Sequence, residues 1–323
     1  MNLRELRRRL RADYEDKQNK ESLRQDRAAR LLYLNHPELK QMENNYNKMN
    51  LELLRGLMDQ PGGQEEILPL LEELEKNFKQ EKDNFLKEKG YKNDPREPRY
   101  SCALCRDTGT TDKGMCLCMK QSLAREIFRS EYERGPSQPS LSQMDFSIYS
   151  HEKKKEKHSQ RDNILSIVES LQKFVKNFKR EEGLNILFAG DVSQGKTFLA
   201  AALAVELIEE GHLVIYQTAP ALIDKLRDLS WRYNEDNADL KSMIYDCDML
   251  ILDDLGKETR TDFSKKELFH LINLRYSAGK STLISTNLKL KDIRKDYGDA
   301  FFTRLMQNCY SPEFYGPDLR IGG

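Results

Sequence analysis

The sequence contains no hydrophobic stretch long enough to cross a membrane as a helix. Its apolar runs are short, such as Ala200–Val205, whereas a bilayer requires about 20 residues. The N-terminal segment contains arginines but lacks the apolar core of a secretory signal. We therefore expect a cytoplasmic protein that has no membrane partner.

An excess of positive charge is also missing. The chain has 53 Lys and Arg against 53 Asp and Glu, so its formal net charge is zero. This balance excludes a protein coated uniformly with positive charge for nucleic acid, although it leaves room for a local basic groove. We find no internal repeat, so repeat architectures are not expected.

Cysteine is scarce, with six residues in 323, yet four of them fall within residues 102–118. In a reducing compartment, clustered cysteines more often bind metal or carry out redox chemistry than form structural disulfides. The candidate ligands are Cys102, Cys105, Cys116 and Cys118. Four thiolates are enough for a tetrahedral zinc site. We expect structural zinc, because so short a segment cannot bury a sizeable core and would need a metal for its folding energy.

Alternatives to a four-cysteine zinc site stay open. Only one residue separates Cys116 from Cys118, so a histidine such as His151 or His158 could replace one thiolate. An iron–sulfur cluster and redox-active thiols are the other two interpretations.

Composition divides the chain into four parts. Residues 1–95 carry apolar residues at helical spacing, which predicts two or three amphipathic helices. Breaks are expected at His36-Pro37 and at Pro61-Gly62-Gly63. Residues 96–125 form the zinc-binding segment, and residues 126–160 form a linker.

In residues 161–323, β-type apolar runs alternate with helical ones, which is typical of a parallel sheet covered by helices. Strands are predicted at 185–190, 212–218, 248–254 and 281–287. Helices are predicted at 197–211 and 264–279. The predicted fold class is therefore α/β, preceded by a helical region and a small zinc-binding segment.

Residues 190–197, GDVSQGKT, fit the phosphate-loop pattern G-x-x-x-x-G-K-[ST] directly after a predicted strand and before a predicted helix. Glycines allow backbone N–H groups to close around phosphate oxygens, and the helix N-terminus adds partial positive charge. Lys196 can reach the β- and γ-phosphates, and Thr197 can ligate Mg²⁺. The residues expected to contact ATP are Gly190, Ser193, Gln194, Gly195, Lys196, Thr197, Phe198 and Asp253.

The apolar run DMLILDD ends in two carboxylates. Asp253 is placed to hold Mg²⁺, directly or through water, and Asp254 is the candidate to orient and deprotonate the attacking water. Asn287, at the end of the last predicted strand, could sense the γ-phosphate, although asparagine at a strand end is usually a turn former.

The succession of the phosphate loop, LILDDLG, INLRY, STNL, FFTRL and GPDLRI resembles one family over roughly residues 140–323. These motifs are similar to those of the AAA+ ATPases that load bacterial replicative helicases, of the DnaC/DnaI type. The cysteine segment also resembles the N-terminal region of the DnaI-like loaders. The resemblance implies that Arg304 is an inter-subunit arginine finger and that Arg320 is a C-terminal sensor; by default each would be a surface arginine.

The resemblance implies ATP-dependent assembly of a hexameric replicative helicase on single-stranded DNA, with helicase docking through residues 1–95 and self-association through the ATP sites. Many AAA+ proteins have Asp-Glu where this chain has Asp253-Asp254, so we expect slow hydrolysis that serves as a switch. Single-stranded DNA is expected along residues 222–236. The candidate contacts are Lys225, Arg227, Trp231, Arg232 and Tyr233, although Trp231 could instead pack in the core.

Two other functions compete with helicase loading. A transposition helper ATPase of the IstB type shares the same core, but such helpers usually lack a cysteine segment and a long helical extension. A general ATP-dependent chaperone would need aromatic pore loops, and the sequence shows no such signature.

Overall fold

The computed structural model describes residues 3–59, 64–132, 139–152, 158–180, 182–231, 235–316 and 319. The chain divides into two compact units. One comprises residues 11–108, and the other comprises residues 1–10 together with residues 109–323. The four-part division of the sequence stays a prediction. Within the described ranges, no helix combines the length and the apolar character that a membrane span requires.

Three long helices form the N-terminal part of the chain: α1 (Leu3–Asn35), α2 (Pro37–Asp59) and α3 (Gln64–Glu88). Pro37 opens α2 because proline suits the first helical position, while it disfavours helix in the residue before it. Leu32, Leu39 and Leu86 are buried against one another. The predicted helical region and its break at His36-Pro37 are confirmed.

A polar network fastens the segment after α3 to α1 and α2. The Arg96 guanidinium lies 2.8 Å from a carboxylate oxygen of Asp94 and 2.7 Å from one of Glu43. It also donates to the Tyr33 hydroxyl at 2.8 Å, and Lys82 lies 2.9 Å from Asp94. Burial alone would raise the pKa of Asp94, but hydrogen bonds from Arg96 and Lys82 hold it below its ordinary value.

Two short strands, β1 (Thr110–Thr111) and β2 (Gly114–Met115), form a hairpin. A separate parallel sheet follows, and its strands are β3 (Asn185–Ala189), β4 (Val214–Thr218), β5 (Met249–Leu255), β6 (Ser281–Thr286) and β7 (Cys309–Tyr310). The order across this sheet is β4-β5-β6-β3-β7. The helices around it are α4 (Leu117–Tyr132), α5 (Gln160–Lys176), α6 (Lys196–Glu209), α7 (Ala219–Trp231), α8 (Glu235–Asp246), α9 (Asp262–Ser277), α10 (Leu290–Tyr297) and α11 (Asp299–Met306).

Burial explains the composition of these elements. All six residues of β6 are buried, as expected for a strand covered on both faces. Helix α6 lacks a polar stripe because its middle, Leu199–Ala204, is wholly buried. The four predicted strands coincide with β3, β4, β5 and β6 to within two residues at each end, and the predicted α/β class is confirmed.

A buried arginine joins the starting ends of β5 and β6. Arg275 on α9 is wholly buried. Its guanidinium donates to the carbonyl oxygens of Tyr245 at 3.0 Å, Cys247 at 3.0 Å and Ser281 at 2.5 Å. These carbonyls precede β5 or open β6, so the arginine of the INLRY motif has a structural role.

We expect Arg96→Ala to lower the free energy of unfolding of the 11–108 unit by about 2–3 kcal/mol at neutral pH, because two partly buried carboxylates lose charged hydrogen bonds. Chemical denaturation followed by circular dichroism measures this loss. The lowered pKa of Asp94 makes its contribution present above its unfolded value and lost as the pH falls below it. The difference from the unsubstituted chain should therefore shrink below about pH 4.

Arg99→Ala is the matched control, since the Arg99 side chain is exposed and its bond to Glu21 comes from its backbone N–H. Equal destabilisation by the two substitutions would contradict the assignment of stability to the Arg96 network.

Candidate nucleotide site

The phosphate loop lies between the end of β3 at Ala189 and the start of α6 at Lys196. Two of its residues have left-handed backbone conformations, Ser193 with φ 63° and Gly195 with φ 87°. Lys196 is buried, and its ammonium donates to the carbonyl oxygens of Gly190 at 2.9 Å and Asp191 at 2.5 Å. Burial lowers the pKa of Lys196, opposed by the nearby carboxylates Asp191, Asp253 and Asp254.

The loop has features that suit a bound phosphate. Gly195, at the N-cap of α6, provides no side-chain cap for the first N–H groups of the helix. The Ser193 hydroxyl and the Gln194 side-chain carbonyl are buried without a hydrogen-bond partner among the described residues. Uncapped N–H groups and a buried hydroxyl can donate to phosphate oxygens. The side chain of Phe198, a residue predicted to contact ATP, is half-buried and packs against the hydrophobic core. Contact between Phe198 and ATP stays a prediction.

Residues from outside the motif enclose the loop. A Cβ at Gly195 would lie 2.5 Å from the Tyr149 hydroxyl, and a Cβ at Gly190 would lie 2.8 Å from Cβ of Phe314. Tyr149 is buried, which raises its pKa to about 12. The backbone N–H of Leu319 also donates to the Ser193 carbonyl at 3.2 Å. Packing thus requires glycine at both positions, and the positive φ of Gly195 adds a conformational reason there.

Asp253, 1% exposed, is held by hydroxyl groups from three elements. Its Oδ1 accepts from Thr197 on α6 at 3.3 Å and from Ser285 on β6, while its Oδ2 accepts from Tyr216 on β4 at 2.7 Å. Thr197 and Asp253, the two residues predicted to bind Mg²⁺, are therefore in hydrogen-bond contact. A hydroxyl and a carboxylate are the hard oxygen ligands that Mg²⁺ prefers, so these residues fit the cation.

Asp254 adopts a conformation that the sequence did not predict. The pairing of β5 with β6 shifts register between Leu252 and Leu255, and Asp254 has φ 59°. Such bulges re-aim side chains beside functional sites. Asp254 is half-buried, and its carboxylate lies 2.7 Å from the ammonium of Lys257. The candidate base is therefore ion-paired in this conformation.

The remaining candidate catalytic residues lie at separate places in the sheet unit. Asn287 is exposed directly after β6, the strand between β5 and β3. Arg304 on α11 is half-buried, stacks 5.2 Å from the centroid of the Tyr276 ring and donates to the Gln307 side chain at 2.8 Å. Asn185, at the start of β3, donates to the backbone carbonyls of Arg304 at 3.1 Å and Gln307 at 3.0 Å. Arg320 lies outside the described residues.

The predicted DNA contacts are only partly described. Lys225 on α7 pairs with Glu131 at 3.0 Å and donates to the Gln217 side chain, a partnership that sequence reasoning missed. Arg227 pairs with Asp224 at 3.3 Å and stacks over Phe263. Trp231 ends α7, but its side chain lies outside the described part, as do Arg232 and Tyr233. DNA contact by this segment stays a prediction.

The four clustered cysteines meet in space. The Sγ atoms of Cys102, Cys105, Cys116 and Cys118 all lie within 4.8 Å of one another. The hairpin of β1 and β2 lies between the two pairs. His151, the alternative ligand, instead contacts Arg161 at 2.7 Å. Four thiols at this separation could bind zinc.

Comparison with protein families decides the assignment of the sheet unit. The family described as IstB-like ATP binding protein matches residues 143–309, just over half of the 323-residue chain. The chain belongs to the IstB-like ATP binding protein family. Membership of this IstB-like family confirms the predicted AAA+ P-loop fold and ATP binding, and it agrees with ATPase activity.

Two curated proteins are similar to part of this chain, and their names describe different functions. A candidate insertion sequence ATP-binding protein of Sinorhizobium fredii is 33% identical over 122 residues, which cover 38% of this chain and 40% of the relative. The replicative helicase loader DnaC of Escherichia coli K12 is 24% identical over 121 residues, which cover 38% of this chain and 49% of the relative. The chain thus spans half or less of the length of either relative.

Two solved structures are also similar. The crystal structure of the DnaC helicase loader matches with a TM-score of 0.46 and 24% identity, over 54% of this chain and 98% of that chain. The crystal structure of DnaI matches with a TM-score of 0.45 and 22% identity, over 61% of this chain and 93% of that chain.

Gly195→Ala should weaken ATP binding about tenfold, because an L-residue is strained at this φ and the added methyl group meets the Tyr149 hydroxyl. Adding Tyr149→Phe should recover part of the affinity, since the next ring atom, Cζ, is 3.7 Å from the Cβ position. Titration with a fluorescent ATP analogue measures both.

Gly90→Ala controls for backbone strain alone, since Gly90 has φ 85° and nothing lies within 4 Å of an added Cβ. It should leave ATP binding unchanged. Unaltered ATP affinity in Gly195→Ala would contradict the tight enclosure of the loop.

Proposed function

We propose that this protein is an ATP-dependent loader that binds a hexameric replicative DNA helicase and assists its assembly on single-stranded DNA in replication initiation or restart. The observation that carries the proposal is the combination of two features in one chain. The first is the contact between Thr197 of the phosphate loop and Asp253 at the acidic end of β5. The second is a four-cysteine cluster and a helical region outside the residues that the family match covers. The protein would act in the cytoplasm, where replicative helicases work.

At the ATP site, Lys196 binds the β- and γ-phosphates, and Thr197 and Asp253 hold Mg²⁺. Mg²⁺ bound there would neutralise charge on the β- and γ-phosphates. Asp254 orients the attacking water and accepts its proton. Asn287 senses the γ-phosphate, Arg320 is the C-terminal sensor, and Arg304 completes the site of a neighbouring subunit in a self-associated form.

Slow, switch-like hydrolysis gains support from Lys257. The carboxylate of Asp254 lies 2.7 Å from the Lys257 ammonium, so this ion pair occupies one of the two oxygens that could face the attacking water. A short side chain that is held by a neighbouring ammonium is less free to reach the water, in agreement with a protein whose nucleotide state changes slowly.

The loader function predicts a stable complex with the replicative helicase of the source organism. Size-exclusion chromatography of the full chain with the purified helicase should show co-elution, and the retained fraction should differ between ATP and ADP. Lys196→Ala should remove the difference between nucleotides but keep some complex, because docking is assigned to residues 1–95.

The second candidate is a transposition helper of the IstB type, favoured by the higher identity of the insertion sequence relative. Absence of a helicase complex under every nucleotide condition, from a chain that binds ATP, would transfer the assignment to this function. The same chromatography with a transposase encoded beside the gene then tests it.

We also propose that the cysteine cluster binds one structural zinc. Cys105 and Cys116 are buried and Cys102 and Cys118 are half-buried, so the metal would be shielded from solvent. Zinc there would stabilise the fold of the segment, since a stretch of this length buries little apolar surface.

Cys105→Ser is expected to lose the metal, because three thiolates leave tetrahedral zinc short of a ligand. Elemental analysis of the purified chain should find about one zinc per molecule before the change and much less after it. Cys309→Ser, at a half-buried cysteine outside the cluster, should retain the zinc. Iron in place of zinc would identify an iron–sulfur cluster, and a metal-free unsubstituted chain would identify redox-active thiols.

A further inference from the structure

Tyr216 lies in the middle of β4, and sequence reasoning assigned it no role. It is 3% exposed, and its hydroxyl donates to Oδ2 of Asp253 at 2.7 Å. The bond joins two strands, since Asp253 ends the buried run of β5.

The strand register explains how the two groups meet. Thr218 of β4 is the Cα partner of Asp253, and Tyr216 is the partner of Ile251. Alternate residues of a strand share a face, so Tyr216 and Thr218 point to the same side of β4. The long tyrosine side chain can therefore reach along the strand direction to the carboxylate two positions ahead.

The two carboxylate oxygens of Asp253 accept hydrogen bonds from different partners. Oδ1 accepts from Thr197 and Ser285, whereas Oδ2 accepts from Tyr216. Thr197 is the other proposed Mg²⁺ ligand, so Oδ1 is the oxygen that faces the cation position. Without the tyrosine hydroxyl, Oδ2 would lose its donor and the carboxylate plane could rotate about the Cβ–Cγ bond away from the angle that directs Oδ1 at the cation position.

The aromatic surroundings of Tyr216 hold its ring in place. Phe128 and Tyr132, both on α4, contact it edge-on, with ring centroids 5.6 Å and 6.2 Å away. The Phe128 and Tyr132 rings also stack on each other at 5.6 Å. A clamped ring gives its hydroxyl a fixed direction, which a positioning residue requires.

We propose that Tyr216 is a positioning residue for Mg²⁺ at the nucleotide site, and that it does so by fixing the rotation of the Asp253 carboxylate so that one oxygen faces Thr197. The proposal rests on the proposed function of this site in binding Mg²⁺ and ATP. Partners that orient a metal ligand from behind commonly change metal affinity by one to two orders of magnitude. Tyr216 therefore acts on the cation through Asp253 and does not touch it.

The test is a titration of Mg²⁺ at a fixed concentration of a fluorescent ATP analogue, with nucleotide binding as the readout. Tyr216→Phe keeps the ring and removes the hydroxyl. We expect the Mg²⁺ concentration for half-maximal binding to rise roughly tenfold. Binding of the same nucleotide in excess EDTA should be unchanged, because the phosphate loop does not depend on the phenol.

Tyr132→Phe is the matched control. It removes a hydroxyl from the same aromatic cluster, but from a tyrosine for which the structure shows no hydrogen bond to Asp253 within the described residues. Its Mg²⁺ requirement should equal that of the unsubstituted chain. A parallel rise in Tyr132→Phe would assign the effect to the cluster as a whole and overturn the proposal.

Three further outcomes would each overturn it. An unchanged Mg²⁺ requirement in Tyr216→Phe would show that the hydroxyl does not orient the carboxylate. Weaker binding in EDTA, or a melting temperature well below that of Tyr132→Phe, would show that the hydroxyl serves the fold instead. Failure of the unsubstituted chain to bind nucleotide with Mg²⁺ would refute the proposed ATP site itself, and the assignment of Tyr216 with it.

Discussion

A carboxylate that is almost wholly buried keeps its place only if its oxygens have hydrogen-bond donors, and this requirement at Asp253 organises the sheet unit. The donors come from α6, β4 and β6, which are separated from β5 in sequence and meet it in space. The order β4-β5-β6-β3 makes this convergence possible, because β5 has β4 on one side and β6 on the other. The phosphate loop reaches the same point through Thr197.

The parts of the fold that the sequence predicts well are those with a local cause. The phosphate loop, the strand that ends in Asp253-Asp254 and the break before Pro37 each follow from neighbouring residues. Buried strands were recognisable because apolar runs in a parallel sheet are nearly continuous. The cysteine cluster was recognisable from the spacing of its two pairs.

The parts that escaped prediction depend on residues far apart in sequence. No local pattern announces the register shift at Asp254, since it arises from pairing with β6. Lys225 looked available for DNA because its partner, Glu131, precedes it by almost a hundred residues. One signal was present at Tyr216: a tyrosine inside an apolar strand usually needs a hydrogen-bond partner for its buried hydroxyl.

Asn185 links two parts of the structure that are usually considered separately. Its side chain fastens the carbonyls of Arg304 and Gln307 to the first residue of β3, and β3 leads directly into the phosphate loop. The backbone of Arg304, the proposed arginine finger, is therefore held to the strand that leads into the protein's own phosphate loop. A displacement of β3 would therefore be passed to the backbone of Arg304 and Gln307 through two hydrogen bonds from one side-chain amide.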